Sequence, residues 1–253
     1  MSKPILFLLG LVVLVSSCGD DEDDTTTTTT TTTNNSELHS AFAEFDGDNT
    51  SIYLDGNEVV IESNGLPNHT SPYWSSTHPL YVAPTVTTLN DMAPGNIDDF
   101  NGSYTLRVQS SPTLASSSSS TGLGAIGIAV SGSMIYNDEE GPNVPLDNAV
   151  TSLDYTAAHT GPQSYHYHLE PKAWSEDDEK LIGVISDGFF LYGRKCNSTG
   201  TYPTDLDASG GHTSTTQHNT DGEYHYHIKN ELYLNAYYIL FPGDYQGSPN
   251  AIQ

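Results

Sequence analysis

The chain contains the pattern H-x5-Y-H-Y-H twice, as HTGPQSYHYH at residues 159–168 and HNTDGEYHYH at residues 218–227. In each copy a turn-forming dipeptide, Gly-Pro or Asp-Gly, precedes a run of strand-forming residues. Side chains alternate between two faces along a strand, so both histidines of a Y-H-Y-H segment are expected on one face and both tyrosines on the other. The pattern predicts two strands, each presenting a pair of imidazoles.

The rest of the sequence favours β-structure with little helix, because short runs rich in Val, Ile, Tyr and Thr alternate with Gly, Pro, Asn and Asp. The predicted strands are Ser51–Asp55, Glu58–Ser63, Thr85–Leu89, Ser103–Gln109, Ala125–Asn137, Tyr165–Leu169, Leu181–Ser186, Phe189–Gly193, Tyr224–Ile228 and Leu232–Phe241. One short helix is predicted at Ser175–Lys180, with Ser175 as its N-cap. We expect one all-β, mainly antiparallel domain over residues 37–253, either a sandwich or an open barrel.

The N-terminal residues have the pattern of an export signal. Residues 5–15 form an apolar run that is too short to cross a bilayer but has the length of a signal-peptide core. Small residues then precede Cys18, as in a lipobox, which predicts a lipoprotein signal at 1–17 and lipidation of Cys18. The alternative is an ordinary secretory signal followed by an incidental cysteine.

Residues 18–36 contain an acidic run and nine consecutive threonines, which predicts a disordered tether. An acidic run directly after a lipidated cysteine resembles the surface-export signal of Bacteroidota lipoproteins. The expected location is therefore the cell surface of the outer membrane, with the lipid as the contact to the membrane.

Charge and cysteine content restrict the function further. The formal net charge is −25, and 27 acidic against 6 basic residues remain when the five tether acids and Lys3 are left out. Such a charge argues against nucleic acid or an anionic membrane surface as a partner. With Cys18 lipidated, Cys196 has no cysteine to pair with. We interpret Cys196 as a small buried residue, with metal ligand or nucleophile as alternatives.

The histidines predict a transition-metal site. Neutral imidazole is the commonest metal ligand, and nitrogen ligands favour copper or zinc over calcium. If the two segments paired as strands, their histidine faces would converge on one ion. Three aspartates are candidates to orient the outer imidazole nitrogens, with turn formation as the alternative. The candidate ligands are His69, His159, His166, His168, His212, His218, His225 and His227, and the supporting aspartates are Asp187, Asp205 and Asp207.

Two other functions stay open. The first is a hydrolase or lyase acting on a glycan or ester, with acid–base or metal-activated chemistry; its candidate residues are His166, His225, Tyr165, Tyr224 and Asp187. No reaction-specific motif accompanies them, so catalysis stays undecided. The second is a carbohydrate or cell-surface binding module that uses an aromatic platform of Tyr73, Trp74 and Trp174, although aromatic residues commonly lie in a core. An extracellular glycan is the candidate partner in both cases, and no protein partner is predicted.

The whole pattern resembles the YHYH-domain family, which is named for the motif that occurs here twice. The resemblance covers roughly Phe45 to Gly247. One departure is Phe190-Leu191, where family members often have Pro-Ile. The resemblance implies family membership and no particular activity. The segments that carry it are Asn64–His69, the Gly-rich strand Ala125–Tyr136, Leu181–Gly183, Asp187-Gly188, Leu191–Gly193, Asp205–Asp207 and Gly211-His212.

Overall fold

The computed structural model describes residues 37–84, 97–161 and 164–253. The predicted signal peptide, the tether with Cys18, and the predicted strand Thr85–Leu89 lie outside these residues. Within the described ranges, no helix has the length and apolar character needed to cross a membrane.

The described part of the chain forms fifteen strands and three short 3-10 helices. The strands are β1 (Thr50–Asp55), β2 (Glu58–Ser63), β3 (Tyr104–Gln109), β4 (Gly127–Ala129), β5 (Met134–Ile135), β6 (Glu139–Gly141), β7 (Val144–Pro145), β8 (Ala158–Thr160), β9 (Tyr165–Tyr167), β10 (Leu181–Ile185), β11 (Phe190–Tyr192), β12 (Gly211–Ser214), β13 (Glu223–His227), β14 (Leu232–Tyr233) and β15 (Tyr237–Tyr238). The 3-10 helices are Ser40–Glu44, Ile97–Phe100 and Leu146–Thr151.

Most of these strands belong to two sheets. A three-stranded antiparallel sheet has the order β1-β2-β3, and an eight-stranded sheet has the order β12-β13-β11-β10-β4-β5-β9-β8. Two pairs in the larger sheet, β11–β13 and β5–β9, are parallel, and its other pairs are antiparallel. Hairpins β6-β7 and β14-β15 stand apart from both sheets. The prediction of an all-β, mainly antiparallel fold is confirmed, and neither described sheet closes into a barrel.

The eight-stranded sheet buries both of its faces. On one face, side chains of β2 and β3 such as Val59 and Leu106 pack with Ile128 and Val184 of the larger sheet. Burial of these apolar surfaces supplies the main driving force that holds the two sheets together. On the opposite face, loops contribute Tyr73, Trp74, Leu240 and Phe241 to a second core, which also contains Tyr165, Tyr167 and Tyr226 of the Y-H-Y-H segments.

Two predicted strands are hairpins instead. The segment Ala125–Asn137 contains β4 and β5, and the chain reverses between them at Gly132, which has a φ of 102°. The segment Leu232–Phe241 contains β14 and β15, and Leu234 and Asn235 between them also have positive φ. Left-handed backbone ends a strand, and only glycine adopts it without a steric cost.

The predicted helix Ser175–Lys180 is wrong, because these residues form a bend flanked by irregular backbone. Asp177 has a φ of 57°, which is incompatible with a right-handed helix. The Asp178 carboxylate accepts hydrogen bonds from Ser175 Oγ, at 2.9 Å, and from the Lys180 amide, at 3.1 Å. Aspartate side chains compete in this way with helical backbone hydrogen bonds.

An internal duplication organises the larger sheet. Residues 126–137 and 182–193 contain similar sequences at a constant offset of 56, with Gly127, Gly132 and Tyr136 matching Gly183, Gly188 and Tyr192. Strands β4, β5, β9 and β8 run outward from the sheet centre in the same order as β10, β11, β13 and β12. The two halves are therefore related by a pseudo-twofold axis between β4 and β10.

The duplication places the two Y-H-Y-H strands far apart. Four strands lie between β9 and β13. Since neighbouring strands are about 4.8 Å apart, the segments are separated by about 24 Å across the sheet. The expectation that their histidine faces converge on one ion is therefore wrong.

Close backbone packing at the pseudo-twofold axis gives a test of the fold. A Cβ at Gly183 would lie 2.3 Å from the Ile128 carbonyl oxygen, whereas a Cβ at Gly122 would have no neighbour within 4 Å. We expect Gly183→Ala to lower the free energy of unfolding by about 2 kcal/mol or more through overpacking. Gly122→Ala should change it by less than about 0.5 kcal/mol. Equal effects of the two substitutions in urea unfolding would contradict the central β4–β10 contact.

Candidate metal centres

Three histidines and one glutamate meet beside β9, and we call this group the Glu140 site. His159 on β8 is the cross-strand partner of His166 on β9, and His168 follows β9. The Nε2 atom of His166 lies 2.9 Å from that of His159 and 3.0 Å from that of His168. An Oε1 atom of Glu140 lies 3.3 Å from His159 Nε2 and 3.2 Å from His168 Nε2. The three imidazoles are buried.

A matching group lies beside β13, and we call it the Cys196 site. His212 on β12 pairs with His225 on β13, and His227 ends that strand. The Nε2 atoms of His225 and His227 are 3.0 Å apart, and Cys196 Sγ lies 3.6 Å from His212 Nε2. One ligand-capable atom from each of these four residues lies within 4.8 Å of all the others. Cys196 is 1% exposed.

Hydrogen bonds at the outer nitrogens fix four of the six imidazole tautomers. The Nδ1 atoms of His166 and His168 lie 3.0 Å and 2.6 Å from the carbonyl oxygens of Ser164 and Asn137. At the second site, His225 and His227 make the equivalent contacts to carbonyl oxygens, at 2.9 Å and 2.7 Å. A carbonyl oxygen only accepts, so each Nδ1 carries the proton, and the Nε2 of a neutral ring presents a lone pair.

The two remaining imidazoles are held in the same tautomer. His159 Nδ1 lies 2.7 Å from Ser152 Oγ, which itself donates to the Ala149 carbonyl, and so must accept from the imidazole. His212 Nδ1 lies 2.9 Å from an Asp205 carboxylate oxygen, which also accepts. Asp205 therefore lies where a carboxylate orients an imidazole. In the neutral state all six Nε2 lone pairs point into one site or the other.

Lone pairs that face each other at about 3 Å repel unless a cation lies between them. Protonation is disfavoured at three of the six rings. Burial, together with the neighbouring imidazoles, lowers the pKa of His166 well below its usual value. Burial likewise lowers the pKa of His225 and of His227 to about 4. A metal ion satisfies the same lone pairs without protonating a buried ring.

The ligand spacing fits a tetrahedral ion. Metal–nitrogen distances of about 2.0–2.1 Å and a metal–sulfur distance of about 2.3 Å place neighbouring nitrogens about 3.4 Å apart, and sulfur about 3.6 Å from nitrogen. The Nε2 pairs at 2.9–3.0 Å are slightly closer than this. The Cys196–His212 distance of 3.6 Å and the Glu140 contacts at 3.2–3.3 Å match.

Glu140 was missed as a site residue from the sequence, and Cys196 was interpreted as a small buried residue, with metal ligand or nucleophile as the alternatives. Cys196 is buried, but its sulfur faces the imidazoles. Each residue follows the shared tyrosine of its repeat, Tyr136 or Tyr192, by four positions, and the two are again 56 residues apart. Alignment of the two repeats is the signal that finds them.

Two of the predicted ligands lie outside both groups. His69 Nε2 contacts Tyr167 Oη at 2.7 Å, on the tyrosine face of the sheet. His218 Nε2 lies 3.4 Å from Glu44, and its ring stacks on Tyr192. The loop between β12 and β13 is longer than the loop between β8 and β9. Consequently His212, and not His218, is the structural equivalent of His159.

The motif tyrosines lie on the opposite face from the imidazoles, as the alternation predicted. Tyr165 donates to Asp154 at 2.6 Å, and Tyr224 donates to Asp207 at 2.7 Å. Burial raises the pKa of both phenols. The proposed acid–base pairing of Tyr165 or Tyr224 with His166 or His225 therefore does not form, because the sheet separates the groups.

Asp187 and Asp207 also have roles other than the predicted one. Asp187 accepts from Tyr226 Oη at 2.6 Å and from the amide of Gly247 at 3.0 Å. Burial raises the Asp187 pKa, although these hydrogen bonds oppose the shift. Asp207 accepts from Tyr224 and from the amides of its own turn. Both aspartates hold the tyrosine face in place and do not orient an imidazole.

The predicted aromatic platform is not exposed. Tyr73 and Trp74 are 1% and 3% exposed and belong to the core beneath the tyrosine face. Trp174 is partly buried against the same core. These side chains stabilise the sheet and do not offer a coplanar surface to a sugar.

Each candidate site adjoins a surface cavity. A cavity of about 240 Å³ is lined by Glu140, His159, His166 and His168. Another of about 420 Å³ is lined by Cys196, Asp205, His212 and Ser214. A small molecule or an incoming ion therefore has a route to both groups.

Residues 105–204 match the family model described as YHYH protein. This match supports the resemblance to the YHYH family over these residues. The matched region contains the whole Glu140 site and Cys196, and it ends before His212 and the second Y-H-Y-H segment. Neither a curated protein nor a solved structure matches the chain.

The buried neutral histidines predict acid sensitivity of the metal-free protein. His225 and His227 bind protons less readily when folded than when unfolded. The unfolded state therefore holds more protons between pH 6.5 and about pH 4, and stability falls as the pH falls through that window. The slope is at most about 1.4 kcal/mol per pH unit for each histidine.

Urea unfolding in a chelator at pH 7, 6 and 5 measures this slope. The double variant His225→Gln/His227→Gln should have a shallower slope over that range than the wild-type chain. An identical slope would show that these imidazoles do not control acid stability.

Proposed function

We propose that this YHYH-family domain binds copper or zinc, with one ion at the Glu140 site and one at the Cys196 site. The observation that carries the proposal is the fixed tautomer of six buried imidazoles, whose Nε2 lone pairs converge in two sets of three. Local packing alone gives no reason to hold six buried lone pairs at such close range. A metal ion gives that arrangement a favourable energy.

The chemistry of the groups favours the borderline and soft transition metals. Each site offers three imidazole nitrogens and one anionic side chain, whereas calcium and magnesium prefer oxygen ligands. The excess of acidic residues over basic ones also favours the approach of cations. Outer hydrogen bonds from all six rings give the support that metal-bound imidazoles commonly have.

Metal content tests the proposal. The full chain, purified without a histidine tag after supply with zinc or copper, should hold about two equivalents of metal. His166→Ala/His168→Ala and His225→Ala/His227→Ala should each lose about one equivalent. In contrast, His78→Ala/His218→Ala removes two imidazoles outside the sites and should keep both ions.

Two results would contradict the proposal. One is a wild-type protein that stays free of metal after supplementation, with circular dichroism showing a folded chain. The other is a full metal content in both of the paired variants at the proposed ligands.

We further propose that the protein is a surface lipoprotein held by a lipid on Cys18. The apolar run and small residues before Cys18 support this, as does the acidic, Thr-rich segment after it. The metal sites would then face the exterior of the cell. Cys18→Ser should abolish incorporation of a labelled fatty acid and release the protein from the membrane fraction. Unchanged labelling would contradict the anchor.

A second candidate function is hydrolysis, favoured by one observation at the Cys196 site. Cys196 Sγ, His212 and Asp205 form a thiol–imidazole–carboxylate chain beside a cavity. Such a chain is the arrangement of a cysteine nucleophile and its base. Turnover of an activated ester by the metal-free protein, abolished by Cys196→Ala, would favour this function over metal binding.

A further inference from the structure

We infer that the two halves of the duplicated sheet hold chemically different metal ions: a thiolate-ligated soft ion at the Cys196 site and a carboxylate-ligated, more exchangeable ion at the Glu140 site. This inference rests on the proposed function and adds to it a difference between the two sites in the class of metal ion that each one holds. The difference comes from a single position of the repeat.

The first support is positional equivalence. Asn137 and Gly193 occupy the same place in the two repeats, and their carbonyl oxygens accept from His168 and His227 respectively. Three residues later the chain supplies Glu140 in one repeat and Cys196 in the other. The backbone that precedes each residue therefore accepts from the equivalent histidine of its own repeat. Glu140 and Cys196 consequently enter equivalent positions in their two sites.

The second support is the environment of the sulfur. Ser198 Oγ and Ser214 Oγ lie 3.1 Å and 3.2 Å from Cys196 Sγ. Hydroxyl groups at these distances stabilise a thiolate, which is the form that binds metal.

The third support is the difference in exposure. Cys196 is 1% exposed, whereas the side chain of Glu140 is 29% exposed. A buried thiolate favours soft ions such as copper(I), and zinc also binds thiolate tightly. Water competes with a partly exposed carboxylate for the ion. The Glu140 site should therefore release metal to a chelator first.

Cobalt(II) provides a spectroscopic test, because a thiolate ligand gives cobalt a near-ultraviolet charge-transfer band that oxygen and nitrogen ligands do not give. The experiment uses the full chain with the substitution Cys18→Ser, so that Cys196 is its only thiol. Two equivalents of cobalt should produce the band with the intensity of one thiolate. Cys196→Ser should remove the band, and the matched variant Glu140→Gln should retain it.

Alkylation gives a second readout that does not depend on cobalt. Zinc should slow the reaction of Cys196 with iodoacetamide at least tenfold. That protection should persist in His166→Ala/His168→Ala and disappear in His225→Ala/His227→Ala. Protection that survives in His225→Ala/His227→Ala would overturn the assignment of the thiol as a ligand there.

The outcomes separate the two proposals. Two bound cobalt ions without a charge-transfer band would overturn the thiolate assignment and leave metal binding intact. A folded chain that binds no cobalt, zinc or copper would overturn metal binding and with it this inference. If the band instead required Glu140 as well as Cys196, the two side chains would not belong to separate sites, and the inference would be wrong.

Discussion

The hydrogen bond at the outer nitrogen of each histidine is the constraint on which the site depends. Carbonyl oxygens, a serine that already donates elsewhere and a carboxylate each accept from Nδ1. These acceptors fix each imidazole in the tautomer that has its proton on Nδ1. The Nε2 lone pairs of neighbouring rings therefore face one another. Buried lone pairs at about 3 Å from one another repel, and burial lowers the pKa of His166, His225 and His227. The fold therefore brings the imidazole nitrogens together in two sets of three, which supports the proposed metal binding.

The sheet places these groups by alternation and duplication. Along β9 and β13, histidines point to one face and tyrosines to the other. Three of the four tyrosines donate to Asp154, Asp187 and Asp207, so the face opposite the imidazoles is fixed by its own hydrogen bonds. The pseudo-twofold axis repeats this construction at both ends of the larger sheet. Only the fourth residue, Glu140 or Cys196, differs in chemical class within the ligand sets.

Local features of the fold were predictable from the sequence because they depend on the period of a strand. The strand Glu58–Ser63 has the predicted bounds, and the His and Tyr side chains separate onto opposite faces. The turn at Gly132 and the left-handed Asp177 were missed, because an apolar run and an acidic run each suggest a regular element. Both breaks come from backbone conformation at single residues.

The geometry of the site was less predictable because it depends on strand order. Nothing local to residues 165–168 and 224–227 shows that four strands separate them, so convergence on one ion was a wrong expectation. The repeated H-x5 spacing pointed to His218, whereas the longer loop before β13 puts His212 in the ligand position. Glu140 and Cys196 belong to no local motif, and only the 56-residue repeat relates them.

A crystal structure of the zinc-loaded protein, with anomalous diffraction collected on both sides of the zinc absorption edge, tests the central claim most directly. We expect two anomalous peaks, one within about 2.0–2.1 Å of the Nε2 atoms of His159, His166 and His168, and one equally close to those of His212, His225 and His227. Peaks elsewhere on the surface, or a single peak bound by histidines from both motifs, would contradict it.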